Sequence, residues 1–379
     1  MLRSRPSLSA VALAGGALVG GAALIAAQPP GGGPPGRTHT ITQSNGKPDL
    51  VPATERPPGK ARVAISERGE SRVIFTAGLP DHLVGAFPNR GNPNQIATRR
   101  TTYRVPLNPE PADRVTEGGP AVFGIAVNGV VFDPGAAEFY GEGGGPGGPG
   151  GRPDGPGGRP PFPPPGGRGG FGPPNGGPPG GGGPGGGGPG GGGPGGGGPG
   201  GQAGGQAGGE RWQYEALSGA VPLGLDANHA HVQPTGAYHY HGLPTGLLEN
   251  LGWRAGSHSP LIGWAADGFP IYAKTGFADL QDADSAVKTL RSSYRLKQGN
   301  RSDGPGQPGG AYDGTFTADY EYVEDEGDLD ECNGRQCVTP EFPDGTYAYF
   351  LTDDWPVIPR QFRGTPSRDF LRGPQQGGR

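Results

Sequence analysis

Two His-X-His pairs, His229-Ala-His231 and His239-Tyr-His241, stand on either side of a short segment that contains Pro234-Thr-Gly236. Five of the seven histidines fall between His229 and His258, so the clustering asks for a chemical reason. Alternate residues of a strand share a face, so each pair points one way if it lies in extended chain. A two-residue loop of Pro234 and Thr235 needs positive φ, which proline cannot supply, and it would send the two pairs to opposite faces. A three-residue Pro-Thr-Gly loop puts proline at its preferred turn position and glycine where positive φ is needed. In that register Gln233 faces Ala237, His231 faces His239 and His229 faces His241. Opposed side chains have Cβ atoms about 4.5 to 5.5 Å apart, so four imidazoles could converge on one ion.

Neutral imidazole suits Zn, Cu, Fe or Ni, whereas Mg and Ca prefer oxygen. The one methionine is Met1, so no internal thioether competes. These residues predict a Zn or Cu centre held by His229, His231, His239 and His241. Asp226 is the nearest carboxylate in sequence and a candidate further ligand or supporting group, with His82 and His258 as additional candidates. A metal-dependent enzyme on the same site is the second reading, with Asp226, Glu249 and Asp267 as acid or base candidates and no spacing that selects a reaction. The bland alternative is a hydrogen-bonded His/Tyr core in an envelope or matrix interaction protein. Tyr238 and Tyr240 point to the face opposite His239 and His241 in either register, which predicts a packing role. Asp267-Gly268 is expected as a local turn, and the acidic run Glu324 to Glu331 lacks the spacing of a calcium loop.

The elements that must position these residues are short strands. Arg62–Ser66, Ser71–Thr76 and Thr101–Val105 alternate or are β-rich, and each is bounded by Gly, Pro or Asn. Gly124–Val127 and Val130–Phe132 flank Asn128-Gly129, which suits a type I′ hairpin. Leu261–Trp264, Phe269–Tyr272 and Tyr347–Leu351 read as further strands, and Ala283–Leu290 as a weak helix. The expected fold is mainly β: a single sandwich- or barrel-like domain with long loops and a disordered Gly/Pro-rich insertion.

Composition sets the boundaries. Glycine (82) and proline (47) make up about a third of the 379 residues, and they concentrate in 141–209, where flexible coil is expected. Glu138–Tyr140 before this stretch and Arg211–Glu215 after it both resemble strand, as if a surface turn had been expanded. Residues 1–27 carry Arg3 and Arg5 and then an uncharged Ala/Gly/Leu/Val run, the pattern of a signal peptide; left uncleaved, it would be an N-terminal membrane anchor. Residues 28–60 read as a flexible tether, 61–140 with 210–365 as one β domain, and 366–379 as a flexible tail. Export to the periplasm, cell envelope or medium follows, and Cys332 and Cys337, separated by Asn333-Gly334-Arg335-Gln336, are expected as a disulfide there. With a net charge of -4 and no basic runs, the chain carries no electrostatic footprint for nucleic acid.

The strings Asn228 to Gly242, Ser259 to Trp264, Asp267 to Tyr272 and Leu329 to Gly334 resemble the YHYH domain family of exported proteins. The likeness is most specific at Tyr238-His-Tyr-His-Gly242 and runs with interruptions from Pro80-Asp-His82 to Arg363. It implies one domain interrupted by the Gly/Pro stretch, and no established biochemical activity. Relatives carry a second Tyr-His-Tyr-His near the C-terminus; here that place reads Tyr347-Ala-Tyr-Phe350.

Overall fold

The computed structural model describes residues 48–117, 122–141 and 212–371. The expected signal peptide, most of the tether, the Gly/Pro-rich insertion and the last eight residues lie outside the described residues. What is described is mainly β. β1 (Val63–Arg68), β2 (Ser71–Thr76) and β3 (Thr101–Pro106) form an antiparallel sheet, and β4 (Thr116–Glu117) follows.

The principal strands are β5 (Gly124–Ala126), β6 (Val131–Phe132), β7 (Ala230–Val232), β8 (Tyr238–Tyr240), β9 (Gly263–Ala265) and β10 (Pro270–Ala273). β11 (Thr275–Phe277) pairs with β12 (Val287–Thr289), and β13 (Tyr294–Leu296) with β14 (Tyr320–Tyr322). β15 (Gly334–Thr339) and β16 (Phe342–Leu351) form a long hairpin, and β17 (Gln361–Phe362) returns to β4. The central sheet has eight strands in the order β15-β16-β10-β9-β5-β6-β8-β7. It is mixed, because β6 runs parallel to β8 and β10 parallel to β16. The order is linear, so the sheet is open and the barrel alternative is not realised among the described residues.

This sheet draws on chain from both sides of the Gly/Pro stretch, since β6 precedes it and its neighbour β8 follows it. The stretch is also bracketed. Tyr140 N donates to Trp212 O at 2.8 Å and Tyr214 N to Glu138 O at 3.0 Å.

Five tight turns share one hydrogen-bond pattern, in which residue i donates to i+4 and residue i+3 donates back to i. They start at Ala126, Asp226, Gln233, Ala265 and Asp330. In three of them the i+3 residue is a glycine in the left-handed region: Gly129 (φ 83°), Gly236 (φ 86°) and Gly268 (φ 95°). In the other two it is His229, at φ 53°, and Asn333, at φ 55°. The Asn128-Gly129 turn is therefore not type I′. Only Gly129 has positive φ there, and Val127 joins the loop to make it three residues long.

The main core contains Ile125, Phe132, Tyr238, Tyr240, Tyr349 and Leu351; a smaller one on the other face of β16 contains Tyr272, Leu290, Ala348 and Phe350. Cys332 packs into the first and Cys337 into the second. The expected disulfide is not formed. Both thiols are free and buried, because the turn at Asn333 (φ 55°) and strand alternation send them to opposite faces of the sheet.

Three further expectations are corrected. Ala283–Leu290 is not helical: the side chains of Asp279 and Asp282 accept from the backbone N–H groups of Gln281 and Asp284, and β12 follows. A short helix, α1 (Thr245–Asn250), lies instead between Pro244 and Gly252 (φ 73°). The fold also starts before Ala61 and ends after 365. Val51 exchanges backbone bonds of 2.9 Å with Leu225 and Ala227, and Phe370 is buried with its ring 4.7 Å from Tyr103.

Candidate metal centre

β7 and β8 form the expected hairpin. Gly236 N donates to Gln233 O at 2.7 Å, Gln233 N to Ala237 O at 2.9 Å, and His231 stands opposite His239. Glycine is required here: its φ is 86°, and a Cβ would meet Ala97 Cβ at 2.6 Å. The Tyr238 and Tyr240 side chains go to the core, as alternation demands.

On the opposite face the rings of His231, His239 and His241 meet. Their centroids are 4.6, 4.7 and 4.7 Å apart with interplanar angles of 65°, 79° and 66°, close to a threefold propeller. Nε2 of His241 lies 2.9 Å from that of His239 and 3.1 Å from that of His231. These three residues can hold a metal ion.

Proton placement explains why such a cluster is chemically poised. Nδ1 of His231 lies 2.8 Å from Leu223 O, and Nδ1 of His239 lies 3.2 Å from Ala237 O. A carbonyl only accepts, so each Nδ1 carries the proton and each Nε2 presents a lone pair to the cluster. Burial pushes all three imidazoles toward the neutral form that a metal requires. His239 is driven down to about 3, first by burial and then by His231. His241 is held well below its ordinary value by burial, its two partners and Arg360. His231 is lowered by burial, against the pull of the Leu223 carbonyl, Glu138 and Asp226. Tetrahedral Zn with Zn–N of about 2.0–2.1 Å needs ligand nitrogens about 3.3 Å apart. The observed spacings need open by only a few tenths of an ångström.

His229 is not part of the cluster, which corrects the four-histidine expectation. Its backbone is in register, since His241 N donates to His229 O at 2.7 Å. It sits in the left-handed position of the Asp226 turn, however, and its ring turns away, with Nδ1 2.9 Å from Leu243 O. The other candidates are likewise engaged elsewhere. Asp226 accepts from Tyr238 OH at 2.7 Å, Gly85 N and Asn228 N, so it builds the turn and serves the tyrosine face. His82 Nδ1 donates to Leu83 O, and its Nε2 accepts a hydrogen bond from the Tyr240 hydroxyl at 2.7 Å. His258 packs among Tyr272, Phe277 and Phe350. Glu249 is exposed on α1, and Asp267 is tied to Tyr349 and Gly364.

The sequence reading missed Asp133, which is 2% exposed. Its Oδ2 lies 3.9 Å from His239 Nε2 and accepts from Gln233 Nε2 at 3.3 Å. Only the parallel pairing of β6 with β8 brings it there, and nothing in Val131-Phe-Asp-Pro134 announces that pairing. Glu138 and Arg360, whose charges act on the cluster, were also unmarked.

The sequence model of the YHYH protein family matches residues 102–364, more than half of the chain. The chain belongs to the YHYH family. Its Tyr-His-Tyr-His string is thus a two-sided device: Tyr238 and Tyr240 fasten β8 to the core while His239 and His241 face the cluster. At Tyr347-Ala-Tyr-Phe350 this YHYH protein keeps the tyrosine side alone, with Tyr347 donating to Asp330 and Tyr349 to Asp267. Comparison with curated proteins and with solved structures found no match. No helix among the described residues is long and apolar enough to cross a membrane.

Proposed function

We propose that this YHYH protein is an exported metal-binding protein whose centre is the His231, His239 and His241 triad, taking Zn or Cu. The observation that carries the reading is the convergence of three Nε2 atoms, two of them forced by backbone carbonyls to present lone pairs. Without a cation, a single proton on His241 Nε2 must serve both neighbours. A cation accepts all three lone pairs at once. Imidazole without thiolate or thioether suits Zn and Cu. Export rests on the N-terminal leader and on kinship with the YHYH family.

The test is metal analysis of protein purified without a polyhistidine tag. About one ion per chain is expected, lost in His239→Ala and in His241→Ala. Stoichiometry near zero after Zn and Cu supplementation ends the reading. N-terminal sequencing of the mature protein tests export, with residues 1–27 expected to be missing.

A further inference from the structure

We propose that Asp133 is the fourth ligand of this centre, making it a three-histidine, one-carboxylate site for a divalent ion; the inference rests on the metal reading of the triad. Backbone register aims Asp133 at the cluster. β6 lies parallel to β8 with Val131 beside His239 and Phe132 beside Tyr240, and Asp133 N continues the ladder by donating to Tyr240 O at 2.8 Å. Strand alternation then sets the faces. The Phe132 ring packs on Tyr240 at 5.6 Å on the core side, so Val131 and Asp133 fall on the histidine side.

Distance and charge agree with that placement. Donor atoms of a tetrahedral shell stand about 3.3 to 3.5 Å apart, and Asp133 Oδ2 is already 3.9 Å from His239 Nε2. The carboxylate does not yet lie within 4.8 Å of all three ring nitrogens, so rotation about its two side-chain torsions must carry it further toward His231 and His241 to complete the shell. A divalent ion among three neutral, largely buried imidazoles would carry uncompensated charge, and buried charge is costly unless paired. Asp133 is a buried carboxylate at the cluster and removes one of the two charges. Gln233 Nε2, from the turn of the same hairpin, holds the carboxylate by its Oδ2, the kind of support that ligating carboxylates receive. The donor set selects the ion as well. Three imidazoles and a carboxylate suit Zn(II) or Cu(II), whereas Cu(I) prefers soft sulfur.

Full-length untagged protein, freed of metal by chelation, is titrated with Zn(II) against a chromophoric chelator and with Co(II) as a spectroscopic probe. Asp133→Asn keeps the shape and removes the charge; Asp133→Ser is the second variant should the first fold poorly. Each is checked by circular dichroism. At least about tenfold weaker Zn(II) binding and altered Co(II) d–d bands are expected. Infrared difference spectra of wild-type protein on Zn(II) loading should show a carboxylate band shift, a readout independent of any variant. Folded variants with wild-type affinity and unchanged Co(II) bands overturn the assignment, as does the absence of a carboxylate shift in Zn-loaded wild-type protein. If wild-type protein binds no ion at all, the triad reading fails first and takes this one with it.

Discussion

His229 and His241 are joined backbone to backbone at 2.7 Å, yet only the ring of His241 enters the histidine cluster. The difference is one backbone torsion. His229 sits at φ 53° in a turn where three sister turns use glycine, so its side chain leaves the direction that strand alternation would give it. His229→Ala is therefore expected to keep metal stoichiometry near wild type, whereas His241→Ala abolishes it. The His229 change should still lower stability by about 1–3 kcal/mol, because the buried Leu243 carbonyl loses its donor. Urea unfolding beside metal analysis separates the two effects.

The tyrosines of the Tyr-His-Tyr-His string make the opposite prediction. The Tyr240 hydroxyl donates to His82 Nε2 and accepts from Asn128 Nδ2 at 2.9 Å, with all three groups buried. Tyr240→Phe strands both partners, at a cost of about 1–3 kcal/mol by denaturant unfolding. Metal stoichiometry should not change, since the ring and the strand direction remain. Loss of the ion in a folded Tyr240→Phe protein would show that the two faces are not independent.

Gly236 joins register to chemistry. Alanine there needs positive φ and drives its Cβ into Ala97, so a cost above about 1 kcal/mol is expected. If the turn relaxes by shifting register one residue, every histidine on β8 changes face. Gly236→Ala should thus lose metal together with stability, while an alanine at the open, positive-φ Gly252 loses stability alone.

The contrast between these residues shows what the sequence carries. Turn chemistry at Pro234-Thr-Gly236 fixed the pairing of His231 with His239, because proline and glycine leave few loop geometries open. The same reasoning took His229 as an extended residue sharing a face with His231, since histidine in a left-handed turn position has no sequence signature like that of glycine. Asp133 was illegible for another reason: parallel neighbours far apart in sequence, with the Gly/Pro stretch between them, leave no local pattern. Cys332 and Cys337 misled because close spacing favours a disulfide only if the intervening chain turns back within one face.

That last point has a direct check. Both thiols are buried, and burial raises the pKa of each. Aromatic disulfide reagents should find almost no reactive thiol in native protein and two per chain in denaturant, with no reductant added. None in denaturant would restore the disulfide.

Acid stability of the metal-free protein should combine two opposed titrations. Burial raises the Asp267 carboxyl from 3.8 to about 6, despite hydrogen bonds from Tyr349 and Gly364 that favour its charge. Folded protein then binds more protons than unfolded chain between those values, so this group adds stability as pH falls, up to about 3 kcal/mol. His239 works the other way. Its pKa falls from 6.5 to about 3 on folding, so the unfolded chain binds more protons in that window and stability drops as pH falls. Asp267→Asn should therefore make the loss of stability between pH 6 and 4 steeper, and His239→Gln should make it shallower, in urea midpoints measured with chelator present. Parallel curves for wild type and both variants would show that neither group changes its proton affinity on folding.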